Sequence, residues 1–276
     1  MCRTLLGIAA LVIGAASATP APVPDSPPRP IKVLLLEGTP RWEYRHLRNR
    51  LERKADPKLY DPRFVLYSAD PGAADNDPLT LRALPLKKDL YSFDVVILGD
   101  CDPKSITASG AEELSSFVIE HGGGLIVIAG QNYPPHDWHG SGLATLLDLL
   151  PIVPGEREKP VKRTTGYRPE LTTAGKKHKA FAHGSGEGEV TWENLPEMYW
   201  WSSGYTAQPK TEILAVHPTV KDADGKPHAL LLTQQTGKGK CTFIGFDETW
   251  RWMKDPTQSW HTHFWREMLR SVANGG

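Results

Sequence analysis

Four short stretches of this chain gather the side chains that could do chemistry. EGTPRWEYR at 37–45 follows the apolar run IKVLLL and places Arg41, Trp42, Glu43 and Arg45 together. GDCDP at 99–103 supplies Asp100 and Cys101, and AGQNYPPHDWHG at 129–140 supplies Gln131 and Asn132. GFDETWRW at 245–252 supplies Asp247, Glu248, Trp250 and Arg251. Carboxylates and arginines beside flat indole faces suit sugars or similar polar ligands, and a carboxylate held there can activate water. The same charges can equally tie loops together, with Arg41 and Arg45 paired to Asp100, Asp247 or Glu248 while Trp42 packs under its helix.

Other chemistry is poorly served. Cys101 lies between Asp100 and Asp102, whose charges raise a thiol's pKa and work against a nucleophile. Cys241 sits inside a strand pattern, as a small core residue does. His136, Asp137 and His139 share a loop, but their spacing matches no zinc signature and a solvent-facing loop explains them better. His261 and His263, two apart on an expected helix, point to different faces. TGKGK at 236–240 lacks the strand-to-helix setting of a phosphate loop and reads as a hairpin turn. No metal or cofactor is expected.

The elements that must position these stretches follow from periodicity. IKVLLL (31–36), RFVLYSA (63–69), FDVVILGD (93–100) and LIVIAG (125–130) are apolar runs without alternation, as in strands buried on both faces. Helices are expected over 41–54, where Thr39-Pro40 reads as a cap and first-turn proline, from Thr107 as N-cap to a stop at Gly122, over 142–151 and over 259–273. TEILAVHP (211–218) and a hairpin over 228–247, turning at Gly237-Lys238-Gly239, complete the set. This alternation predicts an α/β fold with a doubly wound, mostly parallel sheet of the flavodoxin-like kind, whose ligands bind at the carboxyl ends of the strands. Arg41, Glu43 and Arg45 would then rim a crevice there. Residues 151–210 read as an irregular elaboration of one domain spanning 31–276, containing the Trp-rich EMYWWSSGY (197–205).

Lys+Arg and Asp+Glu balance at 32 each in the 276 residues, so no net field draws the chain to nucleic acid or an anionic membrane. The first residues carry Arg3, an apolar stretch and Ala16-Ser17-Ala18, the form of a signal peptide cleaved after Ala18. An uncleaved anchor is the alternative. Residues 19–30, rich in proline, read as a linker. The chain is expected to be exported, periplasmic or extracellular, with no membrane span once the leader is removed.

TPRWEYRHLRNRLER, YSFDVVILGDCDP, SSFVIEHGGGLIVIAGQNY and GKGKCTFIGFDETWRWM with FWREMLR together resemble the glutamine-amidotransferase-like domains of exported and membrane-bound bacterial proteins, a branch of the class I glutamine amidotransferase-like superfamily. The resemblance covers roughly 31–150 and 210–273. It implies a catalytic Cys on the turn after LIVIAG and a His-x-Glu after a late strand, the Cys activated by the His. Here Gly130, Gln131 and Asn132 stand at the turn and Asp247, Glu248 and Thr249 after the late strand, so both halves of the dyad are missing. The expectation is a domain without catalytic residues that binds a small polar ligand or an envelope protein through Arg41, Trp42, Glu43, Arg45, Asp100, Gln131, Asn132, Asp247, Glu248, Trp250 and Arg251. The alternative is a carboxylate-dependent hydrolase acting on a sugar or similar substrate. A third possibility is a docking domain whose EMYWWSSGY patch buries against a partner.

Overall fold

The computed structural model describes residues 29–53, 59–70, 72–133, 135–156, 164–183, 190–254 and 259–273. The expected leader and nearly all of the linker therefore lie outside the described residues. Strands are β1 (Ile31–Glu37), β2 (Tyr60–Leu66), β3 (Val95–Leu98), β4 (Gly124–Ile128), β5 (Ile152–Pro154), β6 (Glu170–Leu171), β7 (Tyr205–Ala207), β8 (Glu212–Lys221), β9 (Pro227–Thr236) and β10 (Gly239–Ile244). Helices are α1 (Trp42–Leu51), α2 (Ala73–Asn76), α3 (Ala108–Ile119), α4 (Ala144–Leu147), α5 (Thr173–Lys177) and α6 (Ser259–Val272).

Eight strands form one sheet in the order β2-β1-β3-β4-β10-β9-β8-β6, and β5 pairs with β7 separately. From β2 to β10 the neighbours are parallel. From β10 to β6 they are antiparallel. This corrects the expectation of a doubly wound, mostly parallel, flavodoxin-like sheet: the sheet is mixed. The cause is local. Two-residue turns need no crossover helix, and Gly237, at φ 58°, closes β9 onto β10. The connection from β2 to β3 also lacks a long helix, holding only the four-residue α2 and a short 3-10 turn.

The parallel strands are buried on both sides, which explains their unbroken apolar runs. In β1, Val33 and Leu35 enter the core under α1 and α6, while Leu34 and Leu36 enter the core under α3 and α4. Each fully buried leucine contributes about 2 kcal/mol by leaving water. Helix α3 begins as its sequence indicates: Thr107 accepts a bond from Gly110 N at 3.0 Å, and Gly122 takes the left-handed φ of 75° after the helix ends. Helix α1 does not start on Thr39-Pro40; Arg41 is its N-cap residue, with no side-chain capping bond. The expected helix over 142–151 is only the four-residue α4.

Described residues of the irregular stretch before β8 are packed into the fold. Tyr167, Phe181, Trp192, Leu195 and Met198 share the α1/α6 core. Among the described residues no helix is long and apolar enough to cross a membrane.

Candidate functional site

Because β1, β3, β4 and β10 run parallel, their carboxyl ends open together and bring the four chemical stretches to one edge. At the centre is Glu37, expected in the stretch after the first strand but not among the site residues; it is the last residue of β1 and 1% exposed. Its Oε1 accepts Gly38 N at 3.2 Å and Asp100 N at 2.9 Å, and its Oε2 accepts Arg41 Nε at 3.1 Å. Arg41 Nη1 reaches Asp247 Oδ2 at 3.2 Å and the carbonyl of Ala129 at 2.9 Å, and Nη2 reaches the carbonyl of Ile128 at 3.4 Å. One guanidinium thus ties the ends of β1, β4 and β10. It is a clamp more than an open hand for ligand.

Asp100 is consumed in the same way. Its Oδ2 accepts Asn132 N at 3.1 Å and Asn132 Nδ2 at 2.8 Å, and its Oδ1 accepts Tyr133 N at 2.7 Å. These bonds shape the turn after β4. Gly130 is a glycine there because a Cβ would overlap the Asp100 carboxyl group, as one at Gly99 would overlap that of Glu37. Gln131 and Asn132 face solvent.

Glu248 holds the other wall. Its Oε2 accepts Tyr199 N and Trp200 N, the latter at 2.9 Å, and its Oε1 pairs with Arg251 at 2.7 Å. This fixes the EMYWWSSGY segment from beneath. Trp200 and Trp201 pack against opposite cores, which leaves Tyr199, 37% exposed, as its outward aromatic.

Glu43, expected on the rim, is 1% exposed. It accepts the Thr249 hydroxyl through Oε1 and Trp250 N through Oε2 at 3.4 Å. Thr249 Oγ1 in turn accepts Trp265 Nε1 at 3.0 Å. What does reach the surface is an aromatic and cationic ladder. The Arg45 guanidinium lies 5.7 Å over the Trp42 ring, Trp42 stacks on His46 at 5.8 Å, and His46 on Trp250 at 6.2 Å. Arg251 then sits 4.7 Å over Trp250 and 4.8 Å over Tyr199. Trp42 is 59% exposed and does not pack under its helix. His46, Thr249, Trp265, Tyr199 and Glu37 were missed in the sequence. A charge closing an apolar strand, and the i, i+4 spacing of Trp42 and His46, were the available signals.

The electrostatics favour retained protons. Burial lifts Glu37 above its ordinary value despite Arg41. It lifts Asp247 to about 6, the Arg41 pair again opposing. Burial also lifts Glu43 to about 7, with the Thr249 bond opposing. Burial works against the Arg41 charge, but Glu37 and Asp247 outweigh it, so Arg41 stays charged. The Oδ1 of Asp247 is buried with no hydrogen-bond partner. Cys101 is buried, and burial, followed by the Glu37 charge, pushes its thiol well up; Cys241 is pushed to about 12 by burial. His136 bonds the carbonyl of Gly204 at 2.8 Å. Among the described residues no group of three His, Cys, Asp or Glu side chains converges to hold a metal ion.

No family model and no curated protein matches the chain. Solved structures do. A cytoplasmic protein of Salmonella typhimurium LT2 is similar over 88% of this chain and 100% of its own, with a TM-score of 0.61 and 14% identity. A second cytoplasmic protein of Salmonella typhimurium is similar over 88% and 99%, with a TM-score of 0.59 and 16% identity. A ThuA-like protein of Parabacteroides merdae gives 0.46 over 90% and 93%, at 13% identity. At these identities the likeness to the two Salmonella proteins is one of fold.

Proposed function

We propose that this chain is an amidotransferase-like domain without the Cys/His dyad that works, after export, as a binding domain of the cell envelope, taking a small polar ligand against the ladder from Arg45 to Tyr199. The observation that carries the reading is how the would-be catalytic positions are used. Asn132 is bonded to Asp100, Asp247 to Arg41, and Glu248 to backbone amides and Arg251. Side chains committed in this way hold loops. The ladder offers stacking surface beside guanidinium donors, which suits a polar ligand with a flat face.

The test is to incubate residues 19–276 with glutamine and assay ammonia, then titrate the same preparation with sugars and small anions by tryptophan fluorescence. No ammonia above the uncatalysed rate and a saturable change for one ligand class are expected. Ammonia at enzymatic rates would overturn the reading.

One observation favours a carboxylate-dependent hydrolase instead. Asp247, lifted to about 6 by burial, has a buried oxygen without a partner, and a carboxyl group poised near neutral pH can shuttle a proton. On that reading Asp247→Asn abolishes hydrolysis and leaves the melting temperature nearly unchanged. A large loss of stability would assign Asp247 to the Arg41 clamp alone.

A further inference from the structure

The ladder is assembled from two elements, and one buried carboxylate joins them. Trp42 and His46 project from α1, and Trp250 from the turn after β10; Glu43 follows Trp42 directly. Its two oxygens accept from consecutive residues of the facing turn, the Thr249 hydroxyl and the Trp250 amide. The direction of the first bond is set from outside. Thr249 Oγ1 already accepts the Trp265 indole N–H, so its own proton is free for Glu43. An ionised carboxylate accepts both bonds, whereas a carboxyl group carries a donor on one oxygen. A proton on Oε2 confronts the Trp250 N–H. A proton on Oε1 displaces the Thr249 hydroxyl proton, which then needs another acceptor. The first breaks the bond from Trp250, whereas the second reverses the bond with Thr249, whose oxygen then accepts from both Glu43 and Trp265 while its own proton turns away from Glu43.

We infer that Glu43 is a proton-sensitive positioning residue, which holds Trp250 against Trp42 and His46 when ionised and loosens the ladder when protonated. The inference rests on the ladder being the binding surface. Its own evidence is the geometry of Glu43, Thr249 and Trp265. Charged and titratable neighbours are Arg41 and His46 on the α1 side, Asp247, Glu248 and Arg251 around the turn, and His261 on α6, which feels His46 and Arg50. His46 is the principal rival, since it stacks within the ladder and burial lowers its pKa.

The experiment is tryptophan emission of the ligand-free chain against pH, for wild type, Glu43→Gln, His46→Asn, Thr249→Val and Thr249→Ser. Wild type should show a one-proton transition centred on about 7. Glu43→Gln and Thr249→Val should flatten it, while Thr249→Ser, which keeps the hydroxyl, and His46→Asn should retain it. If Glu43→Gln does not fold, the Thr249 pair decides. A flat wild-type profile, a transition surviving in Glu43→Gln, or one lost in His46→Asn would overturn the inference. Because no ligand is present, failure to find a ligand leaves this result untouched, and failure here leaves ligand binding open to its own titration.

Discussion

Glu43 of α1 accepts the hydroxyl of Thr249, 206 residues away in sequence, and this bond lies within the α1/α6 side of the sheet beside the exposed Trp42 and the half-buried Trp250. It joins the start of the domain to its last turn through a group that is expensive to ionise, so the sign of its own contribution to the pH dependence of stability is fixed.

The ordinary glutamate value of 4.5 becomes about 7 in the fold. Between these values the folded chain keeps a proton that the unfolded chain has lost. The stability it contributes is present in full below 4.5 and is lost as pH rises through 7, amounting to about 3 kcal/mol at about 1.4 kcal/mol per unit. Asp247, moving from 3.8 to about 6, acts in the same direction. Buried His261, lowered to about 3, opposes them between pH 5 and 6.5, so the informative quantity is the difference between variants: urea denaturation from pH 5 to 8 should find that Glu43→Gln loses less stability, or gains more, than wild type. Equal changes in wild type and Glu43→Gln over this range would contradict the buried-carboxyl account.

Arg41→Met should be far more damaging than a surface arginine change. It strands Glu37 and Asp247, both buried, without their shared partner, and removal of one member of a buried pair costs about 3–5 kcal/mol. The loss should grow with pH as the stranded carboxyls ionise. Arg45→Met, on the exposed ladder, should change the melting temperature little.

Gly130→Ala asks whether the turn after β4 is shaped around Asp100. A methyl group there meets the Asp100 carboxyl group, whereas at Gly72 it meets nothing within 4 Å. Overpacking of this kind costs about 1–3 kcal/mol. Thermal melts should separate Gly130→Ala from a nearly neutral Gly72→Ala, and equal melts would show that the turn yields freely.

Much of this was legible in the sequence. The unbroken apolar runs marked the parallel strands, Thr107 and Gly122 bounded α3, and Gly237 marked the hairpin, because caps and turns depend on one or two residues. The sheet's mixed character was not drawn from that hairpin, although two long strands joined by a tight turn must pair antiparallel. At the edge of the sheet, charge clusters identified the neighbourhood and offered Asp247 among three partners for Arg41, which it is, but not Glu37. Glu37, Arg41 and Asp247 meet only after three strands align. Trp42 stands five residues from Leu47, about 140° round the helix, so helical spacing already set it off the inner face that Leu47 and Leu51 fill.

The most direct measurement is a tryptophan-fluorescence titration of residues 19–276 with a panel of sugars and small anions, wild type beside Trp42→Ala and Trp250→Ala variants shown by melting temperature to be folded. The account predicts a saturable change for one ligand class and a loss of binding, read by calorimetry, of at least about tenfold in both variants, equivalent to about 1.4 kcal/mol. Undiminished affinity in both would contradict it and remove the ladder as the binding surface.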